Sequence, residues 1–311
     1  MAPHTTVHHQ DAARPPVQPD VLTLVRKSVP GEALVTDWSE ACATAQQVTA
    51  RWPISHSFHT EEGRYRPLLF VESLRQALAL LTHSVHDIPL SHRLGWEHLW
   101  SSVNPEALWT SSQPATVTLM ITHPLVRRRR LGSVHLTSHI EAVREGVQVG
   151  SADVQYTAHP PALYNRLRGR YADAGEAFAR ALPPAPAAPA ALMGRRDERE
   201  VVLSPTGPAR EWELRVDVSH QVLFDHPHDH VPGMVLLEAA AQAAQACAGH
   251  PVVPVEFDTE FFRYVEFDRP CLVAAEPALP DGAGRARVKV TASQEGRAVF
   301  SSTVTTVAQP G

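Results

Sequence analysis

The stretch that decides the fold runs from Phe224 to Gln245 and reads FDHPHDHVPGMVLLEAAAQAAQ. It begins with a His-rich loop and continues past Pro232 and Gly233 into an apolar run that ends at Gly249. The run lacks strict alternation, is rich in Ala and Leu, and is too long for an ordinary strand, so it predicts a helix. Because almost every face of this helix is apolar, we expect it to be enclosed on all sides.

One carboxylate lies within this apolar helix. Glu238, Gln242 and Gln245 are spaced so that they form a single stripe along it. An enclosed carboxylate is costly unless it is paired or protonated. We therefore predict that Glu238 is a general acid or an orienting base, the alternative being a carboxylate bonded within the fold. Gln242 then either satisfies Glu238 or contacts a substrate.

Composition restricts the class of protein. The chain has 311 residues, of which 43% are hydrophobic and 20% charged, which indicates a globular protein with a sizeable core. A net charge of -5 does not favour nucleic acid or an anionic membrane as a partner. The three cysteines, Cys42, Cys247 and Cys271, have no metal-site or redox spacing, which favours the reducing cytoplasm. Residues 1–20 read as a disordered tail, and no segment has the ~20 apolar residues of a membrane helix.

The order of elements repeats along the chain. Pro67 opens a second apolar helix, LLFVESLRQALALLTHSV, and about four strand-like segments follow each helix. Glu72 and Gln76 of that helix align with Glu238 and Gln242. Repetition on this scale indicates two copies of one domain. A long apolar helix and a run of antiparallel strands are most easily buried by wrapping the sheet around the helix, as in a hotdog fold.

The predicted fold class is thus α+β, a tandem (double) hotdog. A Pro/Ala-rich stretch between the copies reads as a stiff linker. The predicted divisions are an N-terminal hotdog domain at 21–182, the linker at 183–200 and a C-terminal hotdog domain at 201–311. Two local expectations are short strands at Val21 to Val25 and at Ala33 to Trp38, and a surface helix from Pro161 to Leu182.

Four motifs carry a resemblance to a known family. The second half has Asp-His-Pro-x-Asp-His-Val-Pro-Gly-Met and Leu-Leu-Glu-Ala within Asp225 to Ala239, and Phe-x-Arg-Tyr-Val-Glu at Phe261 to Glu266. The first half has Trp-Pro-x-Ser-His-Ser-Phe at Trp52 to Phe58 and Pro-Leu-Leu-x-x-Glu-x-x-Arg-Gln at Pro67 to Gln76. The chain therefore resembles the A-factor biosynthesis (AfsA) family, the gamma-butyrolactone synthases. It also resembles, less closely, the dehydratase-type hotdog enzymes.

The resemblance implies an acyltransferase. Such an enzyme moves a beta-ketoacyl group from an acyl carrier protein to the hydroxyl of dihydroxyacetone phosphate, and the ester is a precursor of butyrolactone, butenolide or furan signalling molecules. No cofactor is implied, because the phosphopantetheine arrives on the carrier protein. A dehydratase or thioesterase remains the alternative, as does a non-catalytic sensor of an acyl ligand. A homodimer is left open.

The His-rich loop supplies the first candidate base. His226, His228 and His230 alternate, and in a strand they would share one face and make zinc conceivable. Pro227 within the run argues against a strand, and we predict no metal. A neutral imidazole at His226 can take a hydroxyl proton and later protonate a thiolate leaving group.

The helix start and the basic residues supply candidate binding groups. The free amides near Gly233 and Met234 can polarise a thioester carbonyl. Arg75 and Arg263 are candidates to hold a substrate phosphate, or else partners in structural ion pairs. The run Arg127 to Arg130 reads as a solvated turn or as a docking patch for an acidic carrier protein.

The first half offers a second pairing. Glu72 with His56 or His59 mirrors the pair of the second half, although Arg66-Pro67 replaces Pro-Gly at the helix start. Paired hotdogs commonly build a site from the histidine of one copy and the glutamate of the other. His226 with Glu72 and His56 with Glu238 are therefore both retained.

Overall fold

The computed structural model describes residues 20–309, and the predicted tail at 1–20 lies outside them except for Asp20. The described helices are α1 Val21–Leu24, α2 Leu68–Ser84, α3 Pro161–Arg168, α4 Ala174–Ala179 and α5 Gly233–Ala248. The strands of the first half are β1 Val35–Cys42, β2 Ala45–Trp52, β3 Thr60–Glu61, β4 Arg64–Tyr65, β5 Arg93–Val103, β6 Ala115–Arg128, β7 Val134–Arg144 and β8 Val147–His159. Those of the second half are β9 Leu203–Pro205, β10 Glu211–Leu214, β11 Val252–Phe261, β12 Cys271–Ala278, β13 Ala286–Gln294 and β14 Arg297–Ala308.

Twelve of these strands form one continuous antiparallel sheet. Its order is β1-β2-β6-β7-β8-β5-β11-β14-β13-β12-β10-β9, and β3 pairs with β4 in a separate hairpin. The order within the second half is that of the first half in reverse, so equivalent strands meet at the centre. There β5 pairs with β11, with Ser101 opposite Phe257. This symmetric sheet confirms the tandem hotdog fold.

The two long helices occupy the concave side of the sheet and contact each other. α2 is buried along nearly its whole length, and α5 is buried from Val235 to Ala244. The last turn of α5 is half-exposed, so that helix is not enclosed on all sides as predicted. It ends at Gly249, whose φ of 69° is a left-handed conformation that glycine adopts without steric cost. Among residues 20–309, no helix is both long and apolar enough to cross a membrane.

One glutamine in each long helix ties that helix to the segment that precedes its domain's first strands. Both side chains are fully buried. Each accepts a short bond from a backbone amide and donates one to a backbone carbonyl: Gln76 with Leu34 (2.7 Å) and Glu32 (2.7 Å), and Gln242 with Val202 (3.0 Å) and Glu200 (2.8 Å). Gln76 accepts a second, longer bond from the amide of Val35 at 3.4 Å. The halves therefore correspond contact by contact, which is stronger evidence of duplication than the matching letters.

The segment from Val21 is a helical turn and not the predicted strand. The Asp20 carboxylate accepts a bond from the amide of Thr23 at 2.8 Å and caps the turn. A run of five residues, four of them apolar, does not distinguish a strand from a short helix. The prediction of a strand from Ala33 to Trp38 was partly right, since β1 begins at Val35.

The predicted linker is part of the second domain. Ala188 and Met193 are buried, and the backbone between them repeats the turn that opens the first domain. The matching bonds run from the amide of Lys27 to the carbonyl of Leu22 (3.1 Å) and from Arg195 to Ala190 (2.8 Å). The second copy thus begins near Ala188 and not at 201. Proline is tolerated in a first helical turn, so the Pro/Ala composition alone could not show this.

The segment from Pro161 to Leu182 is not one surface helix. Gly169, with a φ of 54°, ends α3, and a 3₁₀ turn at Gly169–Tyr171 separates it from α4. The Arg168 side chain points inward and is buried. This connection therefore supports the His-rich loop described below.

Candidate active site

A cavity of about 390 Å³ lies where the two halves meet. The His-rich loop and the start of α5 form one side, and α2 with the Arg26–Lys27 turn forms the other. The predicted site residues that line it are Glu72, Arg75, His226, Gly233, Met234 and Arg263. Of the two pairings left open by the sequence, the structure brings His226 and Glu72 to one cavity.

Asp225 and His226 form a hydrogen-bonded dyad on the cavity wall. One oxygen of Asp225 lies 2.7 Å from Nδ1 of His226, and the other accepts a bond from the backbone amide of Ser28 at 2.9 Å. Burial raises the pKa of Asp225, but the bonds from His226 and Ser28 outweigh it and lower the pKa to about 2. Because this carboxylate is ionised, Nδ1 of His226 carries the proton and Nε2 keeps a lone pair.

We expect Asp225→Asn to lower the stability near neutral pH and to matter less in acid. The depressed pKa means that the Asp225 carboxylate stabilises the fold fully above its unfolded pKa of about 4. That stabilisation is lost as the pH falls through the folded value of about 2. Urea unfolding of wild type and variant at pH 6, 4 and 3 measures the difference. A difference that stays constant over this range contradicts the assignment.

A buried ion network fixes the far end of the His-rich loop. The Asp229 carboxylate accepts bonds from the hydroxyl of Tyr164 at 2.6 Å and from Nε of Arg168 at 3.0 Å. Arg168 also donates to both oxygens of Glu266, at 2.7 and 2.8 Å. The Phe261–Glu266 motif thus clamps the loop through Arg168. A clamp of this kind holds His226 in place before any substrate binds.

The other two imidazoles of the loop lie close to His226. The rings of His226 and His228 are 4.2 Å apart, and Nδ1 of His230 lies 3.0 Å from Asp229. Burial, together with repulsion from the two neighbouring imidazoles, lowers the pKa of His228 to about 3. His228 is therefore neutral near pH 7 and is an uncharged neighbour of the dyad.

Glu72 lies on the opposite wall as a charged, fully paired carboxylate. It accepts two bonds of 2.8 Å from Arg75 and one of 2.8 Å from Gln76, and lies 3.2 Å from Nζ of Lys27. Burial opposes its charge, but Arg75 and Lys27 hold its pKa well below the usual range. Glu72 thus orients two cations and is not a proton donor near neutral pH. Arg75, for which the sequence left open a phosphate site or a structural ion pair, forms an ion pair with Glu72 and also lines the cavity.

Glu238 lies in a different cavity from His226. This second cavity measures about 590 Å³. The Glu238 carboxylate is 1% exposed, is ion-paired with Arg195, and accepts a bond from Gln242 at 2.6 Å. The side-chain oxygen and nitrogen of Gln242 are both bonded to protein groups, which leaves neither for a substrate. The same holds for Gln76. Arg195 in the second half is the counterpart of Lys27 in the first.

His56 is not the counterpart of His226, which corrects the expected mirror. Its Nδ1 accepts bonds from the amides of Phe58 and His59, both at 3.1 Å, while its Nε2 faces Glu32 at 3.2 Å. His220 makes the same kind of turn, accepting a bond from the amide of Leu223 at 3.2 Å. His56 lines neither cavity, so the structure does not bring it to Glu238.

The reason lies in the loop that precedes each long helix. In the first half, the short hairpin β3–β4 occupies the place taken in the second half by Asp225 to Val231. The hairpin carries Glu61 and Arg66, which are bonded to each other at 3.1 Å. Of the two loops that precede the long helices, only that of the second half therefore presents an Asp–His dyad, and this dyad faces the same cavity as α2 of the first half.

The start of α5 presents backbone amides beside the dyad. The amide of Val235 bonds to the carbonyl of Pro232 at 3.0 Å, whereas Gly233 and Met234 precede any intrahelical acceptor. A Cβ at Gly233 would lie 3.1 Å from the Phe261 ring, so glycine lets the chain pass close to that ring. Both residues line the cavity, and the role of their amides towards an oxyanion stays a prediction.

Within the described range 20–309, two clusters have donor atoms close enough for a metal, within 4.8 Å of one another. They are Glu32 with His56 and His59, and Asp225 with His226 and His228. In the first, the Nδ1 lone pair of His56 is occupied by amides, so His56 fits a metal poorly. In the second, both oxygens of Asp225 are already bonded, to His226 and to Ser28. The donor sets fit a dyad better than a metal, and the absence of metal stays a prediction.

The sequence reasoning missed three cations on the cavity wall, Arg26, Lys27 and Arg93. It did name His59, which lines the same cavity. His59 is buried, its Nδ1 has no partner among the described residues, and burial lowers its pKa to about 3. The only signal for Lys27 was its alignment with Arg195, which required recognising that the repeat begins before Val201.

Comparison with known proteins identifies the family of the chain. The A-factor biosynthesis hotdog domain (AfsA) matches twice, at residues 8–160 and 178–310. A "2-oxo-3-(phosphooxy)propyl 3-oxoalkanoate synthase" of Streptomyces virginiae is 38% identical over 91% of this chain and 96% of its own length. The synthase of that name from Streptomyces coelicolor is 34% identical over 92% and 91% of the two chains.

Two solved structures share the fold. A putative oleoyl thioesterase from Lactobacillus plantarum has a TM-score of 0.52 and 12% identity, covering 87% of this chain and 99% of its own. The pyran synthase domain from module nine of the sorangicin pathway has a TM-score of 0.52 and 14% identity, covering 91% and 100%. At such identity these structures show the fold alone. With the family domain matched in both halves and curated relatives aligned over nearly the full length, the chain belongs to the A-factor biosynthesis (AfsA) hotdog family.

Proposed function

We propose that the chain is an acyltransferase that forms the ester of a 3-oxo acid with dihydroxyacetone phosphate. The names of the Streptomyces relatives describe that ester. The observation that carries the proposal is the cavity between the halves, where the Asp225–His226 dyad, the α5 amides and a cationic wall face one space. The acyl donor is a thioester on an acyl carrier protein, which places the reaction in the cytoplasm.

The dyad supplies the proton transfers. Nε2 of His226 takes the proton of the acceptor hydroxyl, and the oxygen attacks the thioester carbonyl carbon. The tetrahedral intermediate places its negative oxygen at the amides of Gly233 and Met234. The carbon–sulfur bond then breaks, and the imidazolium returns its proton to the thiolate. Asp225 keeps the imidazole in the required tautomer throughout.

The opposite wall suits a phosphorylated acceptor. Lys27 and Arg75 are fixed by Glu72, and Arg93 lies nearby on the same wall. Apolar side chains, among them Leu78, Leu94 and Met234, line the rest of the cavity and suit an acyl chain. They also limit the access of water, which would hydrolyse the thioester.

Acceptor dependence tests the proposal against the thioesterase and dehydratase alternatives. Purified enzyme is incubated with a 3-oxoacyl carrier protein, with and without dihydroxyacetone phosphate, and thiol and product are followed by colour reagent and mass spectrometry. We expect thiol release and ester only when the acceptor is present. Equal thiol release without it would identify a thioesterase, and an enoyl product from a 3-hydroxyacyl thioester would identify a dehydratase.

A further inference from the structure

Arg26 occupies a backbone position where the other half of the molecule has glycine. Its φ is 57°, and the corresponding Gly194 has a φ of 63°. The turns match, since the amides of Arg26 and Gly194 bond to the carbonyls of Thr23 and Ala191, both at 3.2 Å. Left-handed backbone is unfavourable for a residue with a Cβ. An arginine kept there indicates that its side chain has a role that outweighs the strain.

The Arg26 guanidinium has only neutral partners. It donates to the carbonyls of Leu90 at 3.0 Å and His92 at 2.6 Å, and lies 3.0 Å from Nε2 of His83. Nδ1 of His83 bonds to the carbonyl of Ile88 at 2.7 Å, so its Nε2 is an uncharged acceptor. Across residues 20–309 no carboxylate pairs with Arg26, and its buried Nε has no acceptor. A partly buried cation without a counter-ion is costly.

Further positive charge surrounds Arg26 on the cavity wall. Arg93 is exposed and pairs with no carboxylate of the described chain, while Lys27 and Arg75 share the single charge of Glu72. Burial, with repulsion from Arg93 and Arg75, lowers the pKa of Arg26 to about 10. Glu97 and Asp225 also line the cavity, but they bond to Thr157 and His226, so no carboxylate of the described chain is paired with Arg26 or Arg93.

We propose that Arg26 and Arg93 form a phosphate subsite at this wall of the cavity. Arg26 is partly buried and has no carboxylate partner, Arg93 is exposed, and both line the same cavity as the Asp225–His226 dyad. Guanidinium groups bind phosphate oxygens in pairs of charge-assisted bonds. The phosphate is that of the acceptor or that of the phosphopantetheine arm, so this assignment rests on the proposed transferase function.

The glycine of the repeat supplies a sharp test. Arg26→Gly installs the residue that the second half uses in the same backbone conformation, so we expect an unchanged or higher melting temperature in phosphate-free buffer. Binding of inorganic phosphate and of dihydroxyacetone phosphate, measured by calorimetry, should weaken about 10- to 100-fold. Arg93→Gln, a surface change, should weaken both as well, whereas Arg51→Gln, an exposed arginine of β2 outside both cavities, should not. Unchanged affinity in Arg26→Gly and Arg93→Gln overturns the proposal.

Kinetics separate the two sources of phosphate. With an N-acetylcysteamine thioester, which has no phosphate, a raised KM for dihydroxyacetone phosphate in Arg26→Gly assigns the subsite to the acceptor. A raised KM for the carrier-protein thioester alone assigns it to the phosphopantetheine arm, and no change in either overturns the subsite. A wild-type protein that binds phosphate yet forms no ester would refute the proposed transferase function but not the proposed phosphate subsite.

Discussion

Replacing His226 with alanine is expected to lower kcat for ester formation by about 10²- to 10⁴-fold, the usual contribution of a positioned general base. The fold should tolerate the change. The side chain is 35% exposed, and its described bond is to Asp225. The melting temperature should therefore stay close to that of wild type. Steady-state release of thiol in the presence of dihydroxyacetone phosphate measures the effect.

His250→Ala is the matched control for this substitution. His250 lines the second cavity and has no part in the Asp225–His226 dyad. We expect its kcat to equal that of wild type. Turnover by His226→Ala within about twofold of wild type would exclude His226 as the base and would direct attention to His230, which has its own aspartate.

The second large effect is expected on stability. Glu238→Ala should lower the free energy of unfolding by about 3 to 5 kcal/mol, because it leaves Arg195 as a buried cation without its partner. The side chain of Arg195 is only 11% exposed, so solvent compensates little for the lost carboxylate. Catalysis per folded molecule should remain near wild type, since Glu238 lies in the second cavity. Urea unfolding and kinetics at a temperature where the variant is folded test the two statements separately.

Glu72→Ala gives the matched comparison in the first half. It removes the equivalent partner of Lys27 and Arg75, so we expect a similar loss of stability. Here turnover should also fall, because both cations face the working cavity. Equal kcat values for the two folded variants would contradict the asymmetry between the halves. A larger loss of activity in Glu238→Ala than in Glu72→Ala would reverse that asymmetry.

Much of the architecture was predictable because it depends on short-range patterns. The long apolar run from Gly233 and its repeat from Leu68 predicted both long helices to within a residue. The matching glutamates of the two runs predicted the duplication. Alternation predicted the long strands, whose partners then follow from the fold. The positions of Gly233 and Met234 at the helix start, beside the His-rich loop, also followed from sequence order.

The pairing of side chains across the halves was not predictable in the same way. His56 and His226 look equivalent because each is a histidine in the loop before a long helix. The hydrogen bonds show instead that His56 corresponds to His220, which lies at a similar distance from its helix. Arg26 and Arg195 lie in equivalent turns of the two halves. The turn of the second half follows a Pro/Ala-rich stretch that reads as a linker, so the roles of these arginines were not predictable. Contacts between residues far apart in the chain, such as Ser28 with Asp225, leave no periodic signal.

The central claim is that one working site exists per chain and that both halves build it. Calorimetric titration with a non-cleavable amide analogue of a 3-oxoacyl pantetheine phosphate tests it most directly. We expect one molecule bound per chain in the wild type and in Glu238→Ala, and strongly weakened binding in Glu72→Ala. Two molecules per chain, or a loss of binding in Glu238→Ala with normal binding in Glu72→Ala, would contradict the account.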